Sequence, residues 1–221
     1  YAINKLNQGF CDIPEPGLQS LIASVIDSGF LKGSLSYSEI SEADVVLITV
    51  GTPLSDEFDA DLTAIRSVFS ELRNYVTDNQ AIMVKSTVPP GTTRKMYDEF
   101  LFDKNTYLSF SPERLAEGNA ISEFTQLPIV VGGVNQVSTS KCANFWRSIF
   151  DIDVIEVSSC EAAEMVKLAD NQWIDLNIAL ANELAILCDA LPHKIDVMEV
   201  IKGANSLKKG MHYVNILYPS I

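Results

Sequence analysis

Two patterns of apolar and polar positions alternate along the first two thirds of the chain. Short apolar runs bounded by turn-forming residues recur at Asp44–Val50 (DVVLITV), Ala81–Ser86 (AIMVKS), Thr106–Ser111 (TYLSFS), Pro128–Gly133 (PIVVGG) and Asp153–Val157 (DVIEV). Between them apolar residues return at helical period over Leu62–Thr77, Thr93–Phe102 and Val137–Phe150. That alternation predicts βα units wound on both faces of a parallel sheet, a doubly wound, Rossmann-like α/β fold. Before it, the spacing predicts short helices around Ala2–Asn7 and Gly17–Asp27, a turn at IPEPG and a short strand near Ser34.

After Val157 the pattern changes. From Ser158 to Leu191 there is neither Pro nor Gly, so one long helix is expected, with a serine at its start and acidic Glu161 and Glu164 suiting its positive end. Its apolar residues occupy nearly the whole circumference, which predicts burial on several sides, between two domains or in a subunit interface. A further helix is expected over Asp196–Ala204. The boundary between domains is therefore expected between residues 156 and 157.

Composition narrows the function classes. The chain has 221 residues, 47% apolar, with a formal charge of −13, which argues against a nucleic-acid-binding surface as its main function and leaves room for a local basic pocket for one anionic ligand. No segment reaches the roughly 18 uninterrupted apolar residues of a membrane span, and the first residues have no signal-peptide pattern. Cys11, Cys142, Cys160 and Cys188 are far apart and accompanied by only two histidines, which reads as reduced thiols in a cytoplasmic protein without a metal site.

Candidate chemistry lies at the carboxyl ends of the strands, where open α/β sheets bind ligands. The loops there are VGTPLS with Thr52 and Pro53, KSTVPPGTT with Thr87, and SPERLAEGNA with Glu113, Arg114, Leu115 and Glu117. On the long helix, Lys167 and Asn171 are four residues apart and share one face. An ammonium and an amide so placed can hold one oxygen between them and stabilise alkoxide character as hydride leaves carbon. A carboxylate such as Glu117 can orient water or take up a proton. Taken singly, each feature has a plainer role: threonines cap turns, charged loops are solvated, and a helical lysine reaches past apolar neighbours to water.

In order, PEPGL, VGTPL, KSTVPPGTT, SPERLAEGNA and EAAEMVKLADN…NIALANELA resemble the nucleotide-sugar 6-dehydrogenases, the family of UDP-glucose, GDP-mannose and UDP-N-acetylmannosamine dehydrogenases. The resemblance implies oxidation of a sugar C6 hydroxyl to a carboxylate in two NAD-dependent steps through a cysteine thioester. It places Thr52, Pro53, Thr87 and Glu117 near NAD, with Thr87 and Glu117 also near the reacting carbon and its water. Glu113, Arg114, Leu115, Tyr213 and Asn215 fall along the nucleotide-sugar. Lys167 takes the place of the active-site lysine and Asn171 that of its oxyanion partner. The same resemblance makes residues 157–221 a connecting helix and the start of an all-α central dimerisation domain, with a homodimer formed through helix 158–190.

Two departures lead to the expectation of an incomplete chain. None of the 11 glycines forms the G-x-G turn that opens the family's first βαβ unit, and no cysteine stands in the Gly-Gly-x-Cys context of its nucleophile. For the substrate, SPERLAEGNA and VNIL resemble the N-acetylhexosamine branch, whereas Ile174 and Tyr213 stand where that branch carries arginines and point to UDP-glucose. Two rival readings remain at this point: a non-catalytic dimerisation scaffold, and another β-hydroxyacid-type dehydrogenase sharing the Lys-x-x-x-Asn helix.

Overall fold

The computed structural model describes residues 2–209, 212–213 and 215–217, in two compact units divided between Lys167 and Leu168. In the first unit α1 (Ala2–Leu6), α2 (Leu18–Asp27) and a 3-10 turn (Tyr37–Glu42) precede the sheet. The strand expected near Ser34 is absent among the described residues; Ser36 instead caps that turn by accepting the Ser38 N–H. The strands are β1 (Val45–Ile48), β2 (Ala81–Val84), β3 (Tyr107–Phe110), β4 (Ile129–Gly133) and β5 (Val154–Glu156), paired in chain order.

β1, β2 and β3 run parallel, with Val45 opposite Ala81 and Ala81 opposite Tyr107. β4 runs antiparallel to β3, placing Phe110 opposite Gly132, and β5 runs parallel to β4. The sheet is thus mixed rather than wholly parallel. The reason lies in the connection after β3, which holds only the four-residue helix α5 (Ala120–Glu123) and no crossover helix. Without a crossover the chain stays at the carboxyl end of β3 and must return in the opposite direction. The SPERLAEGNA segment is thereby kept at that end of the sheet.

Helices cover both faces. On one, α3 (Thr63–Leu72) buries Ile65, Phe69 and Leu72 completely, at the spacing of one helical stripe. It packs with Met96 of α4 (Thr92–Met96) and Leu101 of the π-helical turn Tyr97–Leu101 against Ile82, Val84, Leu108 and Phe110. On the other, α6 (Gln136–Ile149) lays Cys142, Ala143 and Trp146 over Ala81, Met83 and Val131. Asn135 caps α6 by accepting the Ser138 N–H at 2.8 Å. Gly132 cannot carry a side chain, because a Cβ there would fall on the Ser159 carbonyl at the start of the next helix.

That helix, α7, runs 31 residues from Cys160 to Ala190. Its first turns join the core through Cys160 and Ala163. Beyond them several of its large apolar residues are not covered within the single chain: Trp173, Ile174, Leu176, Leu180, Ile186 and Leu187 are 44–63% exposed. In the second unit α8 (Val197–Asn205), capped by Asp196, precedes the antiparallel pair β6 (Lys208–Lys209) and β7 (His212–Tyr213). Asn205 bonds both the N–H and the carbonyl of Ile216, at 2.7 and 2.8 Å. Among the described residues no helix is long and apolar enough to cross a membrane.

Candidate active site

The loops after β1 and β2 are tied together. Thr52 Oγ1 donates to the Thr87 carbonyl at 2.6 Å, so the hydroxyl is committed to a latch between strand ends. Pro53 is exposed, and its carbonyl accepts the Asp61 N–H at 2.8 Å. Thr87 is half-buried, and among the described residues its own hydroxyl carries no hydrogen bond. Gly91 then adopts a left-handed φ of 90° and α4 begins.

The segment after β3 is organised by carboxylates. Glu113 Oε1 accepts the N–H groups of Arg114 and Leu115 at 2.8 and 3.0 Å, which folds the loop on itself. Its other oxygen lies 3.4 Å from Lys85 Nζ. Lys85 also points at the Ser111 carbonyl, 3.5 Å away, and stands 5.3 Å from the centre of the Trp146 ring. Burial pushes the Lys85 ammonium below its ordinary pKa; the Glu113 charge opposes that shift and the positive charge of Lys167 adds to it.

Further along, Glu15 of the PEPGL motif accepts the N–H groups of Gly118 and Ala120 at 2.7 and 2.8 Å. Two of the sequence motifs are thus joined across more than 100 residues. Between them lies an open apolar groove of about 640 Å³, walled by Ile13, Leu18, Leu115, Ile121 and Phe124. Glu117 is exposed on its rim, and among the described residues no hydrogen bond joins it to Thr87 or Lys167.

α7 is fastened to the same end of the sheet by two acidic side chains in its first turns. Glu164 is fully buried and accepts the N–H groups of Gly91 and Thr93, at 2.6 and 2.8 Å, at the start of α4. Burial raises its pKa, against the pull of its bonds to Thr93 and Gly91. One turn earlier Glu161 pairs with Arg94 at 2.6 Å, and Arg94 also donates to the Val134 carbonyl at 2.9 Å. The guanidinium holds Glu161 down at about 2. Lys167 follows Glu164 by three residues, half-buried and without an ion pair among the described residues.

Asn171 is exposed on α7 in the second unit, one helical turn past Lys167. Asn215 lies there in coil, also exposed. Tyr213 is placed by its backbone in β7, and its side chain lies outside the described residues. The cysteines offer no activated thiol in the first unit's core: burial pushes Cys142 up to about 11 and Cys160 to about 12.

Lys85 and Glu164 are absent from the sequence-based site. Lys85 had a visible signal, a charge in the inward row begun by Ala81 and Met83. Glu164 had none, since its partners are 71 and 73 residues away. For a dinucleotide, the residues present fit one end: adjacent strand termini carrying Thr52 and the unengaged Thr87 hydroxyl. The 221 residues contain no G-x-G turn to cradle a pyrophosphate.

Residues 1–151 match the UDP-glucose/GDP-mannose dehydrogenase family, NAD binding domain, and residues 161–221 match the central domain of the same family. A UDP-N-acetyl-D-mannosamine dehydrogenase of Methanococcus maripaludis is 34% identical over 221 residues, covering 98% of this chain and 49% of that protein. The UDP-D-ManNAc dehydrogenase structure from Pyrococcus horikoshii superposes with a TM-score of 0.88 at 29% identity, over 99% of this chain and 52% of that one. A UDP-glucose dehydrogenase from Pyrobaculum islandicum gives 0.81 at 28% identity, over 91% and 48%. The chain spans about half the length of the curated relatives it matches.

Proposed function

The chain belongs to the UDP-glucose/GDP-mannose dehydrogenase family, and from that premise we propose that it supplies the NAD-binding and central part of an enzyme oxidising a nucleotide-sugar C6 hydroxyl to the carboxylate. The observation that carries the reading is the fastening of α7: Glu161 and Glu164 hold it to the start of α4, with Lys167 one turn further along the same helix.

When bound, NAD accepts the hydride removed from C6. The chain's own residues hold and polarise the sugar. Lys167 and Asn171, stacked on one face of α7, donate to the C6 oxygen and stabilise the negative charge that grows on it as the hydroxyl proton leaves to water. Thr52, Pro53 and Thr87 contact NAD, and the Thr87 hydroxyl supplies a donor at the strand end. Glu117, on its exposed loop, orients the water that later releases the carboxylate. Glu113, Arg114, Leu115, Tyr213 and Asn215 line the nucleotide-sugar.

The substrate is a UDP-N-acetylhexosamine in this reading, supported by the SPERLAEGNA segment and by relatives named for UDP-N-acetyl-D-mannosamine. UDP-glucose is the second reading, favoured by Ile174 and Tyr213. A panel of UDP- and GDP-sugars with NAD and the complete polypeptide is expected to yield NADH from the N-acetylhexosamines first. Silence across the panel would sink the proposal.

The exposed apolar face of α7 supports a homodimer formed through residues 158–190, and the four unpaired cysteines suit the cytoplasm. Sedimentation is expected to give a dimer, and a strict monomer would remove the partner from the account.

A further inference from the structure

Lys85 occupies a position the sheet would ordinarily give to an apolar residue. It continues the β2 row of Ala81 and Met83, which are 2% and 0% exposed beneath α6, and is itself only 9% exposed. A buried ammonium is strongly unfavourable unless it is paired, so its partners explain its presence. They are the Glu113 carboxylate at 3.4 Å, the Ser111 carbonyl at 3.5 Å and the face of Trp146.

Glu113 divides its two oxygens. Oε1 binds the two amides that fold the loop, and Oε2 faces Lys85. The backbone from Ser111 to Ala116 belongs to no helix or strand, so the aim of this side chain depends on those bonds. The Glu113 side chain is 42% exposed, and with Lys85 gone it would be free to turn to water.

We infer that Lys85 is a positioning residue: it holds Glu113 and thereby fixes the 112–115 loop against the ends of β2 and β3. The consequence for substrate rests on the nucleotide-sugar dehydrogenase reading; the consequence for the loop does not. In the mechanism Lys85 touches neither sugar nor NAD. Its effect on the reaction passes through the loop that lines the sugar.

The test uses the complete polypeptide with Lys85→Met, Lys85→Arg, Glu113→Gln and the double variant Lys85→Met/Glu113→Gln. Without substrate, trypsin is expected to cleave after Arg114 roughly tenfold faster in Lys85→Met and in Glu113→Gln, no faster still in the double variant, and at the original rate in Lys85→Arg. With substrate, Lys85→Met is expected to raise the KM of the nucleotide-sugar by roughly tenfold while the KM of NAD stays put, and Lys85→Arg to restore it. Unchanged cleavage in Lys85→Met, or single effects that multiply in the double variant, would overturn the inference. Should the unsubstituted enzyme oxidise no nucleotide-sugar, the dehydrogenase reading falls while the cleavage rates still decide the role of Lys85. Glu113→Gln gives the same decision from the opposite partner if Lys85→Met does not fold.

Discussion

Lys167→Ala is expected to lower kcat by about 10²–10³, with little change in stability. The rate loss follows from removing one preorganised donor aimed at a developing oxyanion, worth about 3–4 kcal/mol in the transition state. The small stability change follows from the folded chain: Lys167 is half-buried and makes no ion pair among the described residues, so its removal strands no partner. Steady-state rates beside a thermal melt separate the two effects. Original rates in this variant would take the lysine out of the mechanism, and a collapsed melting temperature would make it structural.

Glu164→Ala is expected to be the most destabilising single change in the anchor. Its carboxylate is fully buried and is the acceptor for Gly91 and Thr93, so truncation leaves two N–H groups without their partner in the core. Each such loss costs about 1–3 kcal/mol, and relief of the carboxylate's own burial offsets part of it, leaving about 2–3 kcal/mol. Glu164→Gln keeps one acceptor oxygen and should recover part of that. Because Lys167 lies one turn further along α7, activity should fall as well. Urea unfolding of the three proteins provides the check; a change within about 0.5 kcal/mol for Glu164→Ala, the range of ordinary surface substitutions, would show that the helix is held by its apolar contacts alone.

Much of this architecture is legible in the chain because local patterning specifies it. The AIMV run of β2 is buried on both faces and reads as an interior strand, and Ile65, Phe69 and Leu72 mark α3 by their spacing. Lys167 and Asn171 stand out through helical arithmetic alone. What stayed hidden depends on pairing between distant residues or on direction. The reversal of β4 is invisible in PIVVGG, since a strand's sequence does not record which way its neighbour runs. The apolar face of α7 is exposed in the single chain, and composition cannot say whether the same chain or a second one is to cover such a face.

The site divides along the same line. Thr52 and Thr87 were legible as strand-end hydroxyls, yet the latch that consumes the Thr52 hydroxyl spans 35 residues. Glu113 and Glu117 sit close together in sequence but do different things in the fold: one is clamped by amides and Lys85, the other lies exposed on the groove. Spacing groups residues of a loop; only the fold distinguishes those that hold it from those it presents.

The central claim is a four-electron oxidation at one carbon, and the NADH formed per nucleotide-sugar consumed by the complete polypeptide tests it most directly. Hydride transfer to NAD carries two electrons, so oxidation from alcohol to carboxylate requires about two NADH per sugar, with the sugar recovered as its uronate. One NADH per sugar, with an aldehyde or ketone as product, would contradict the account.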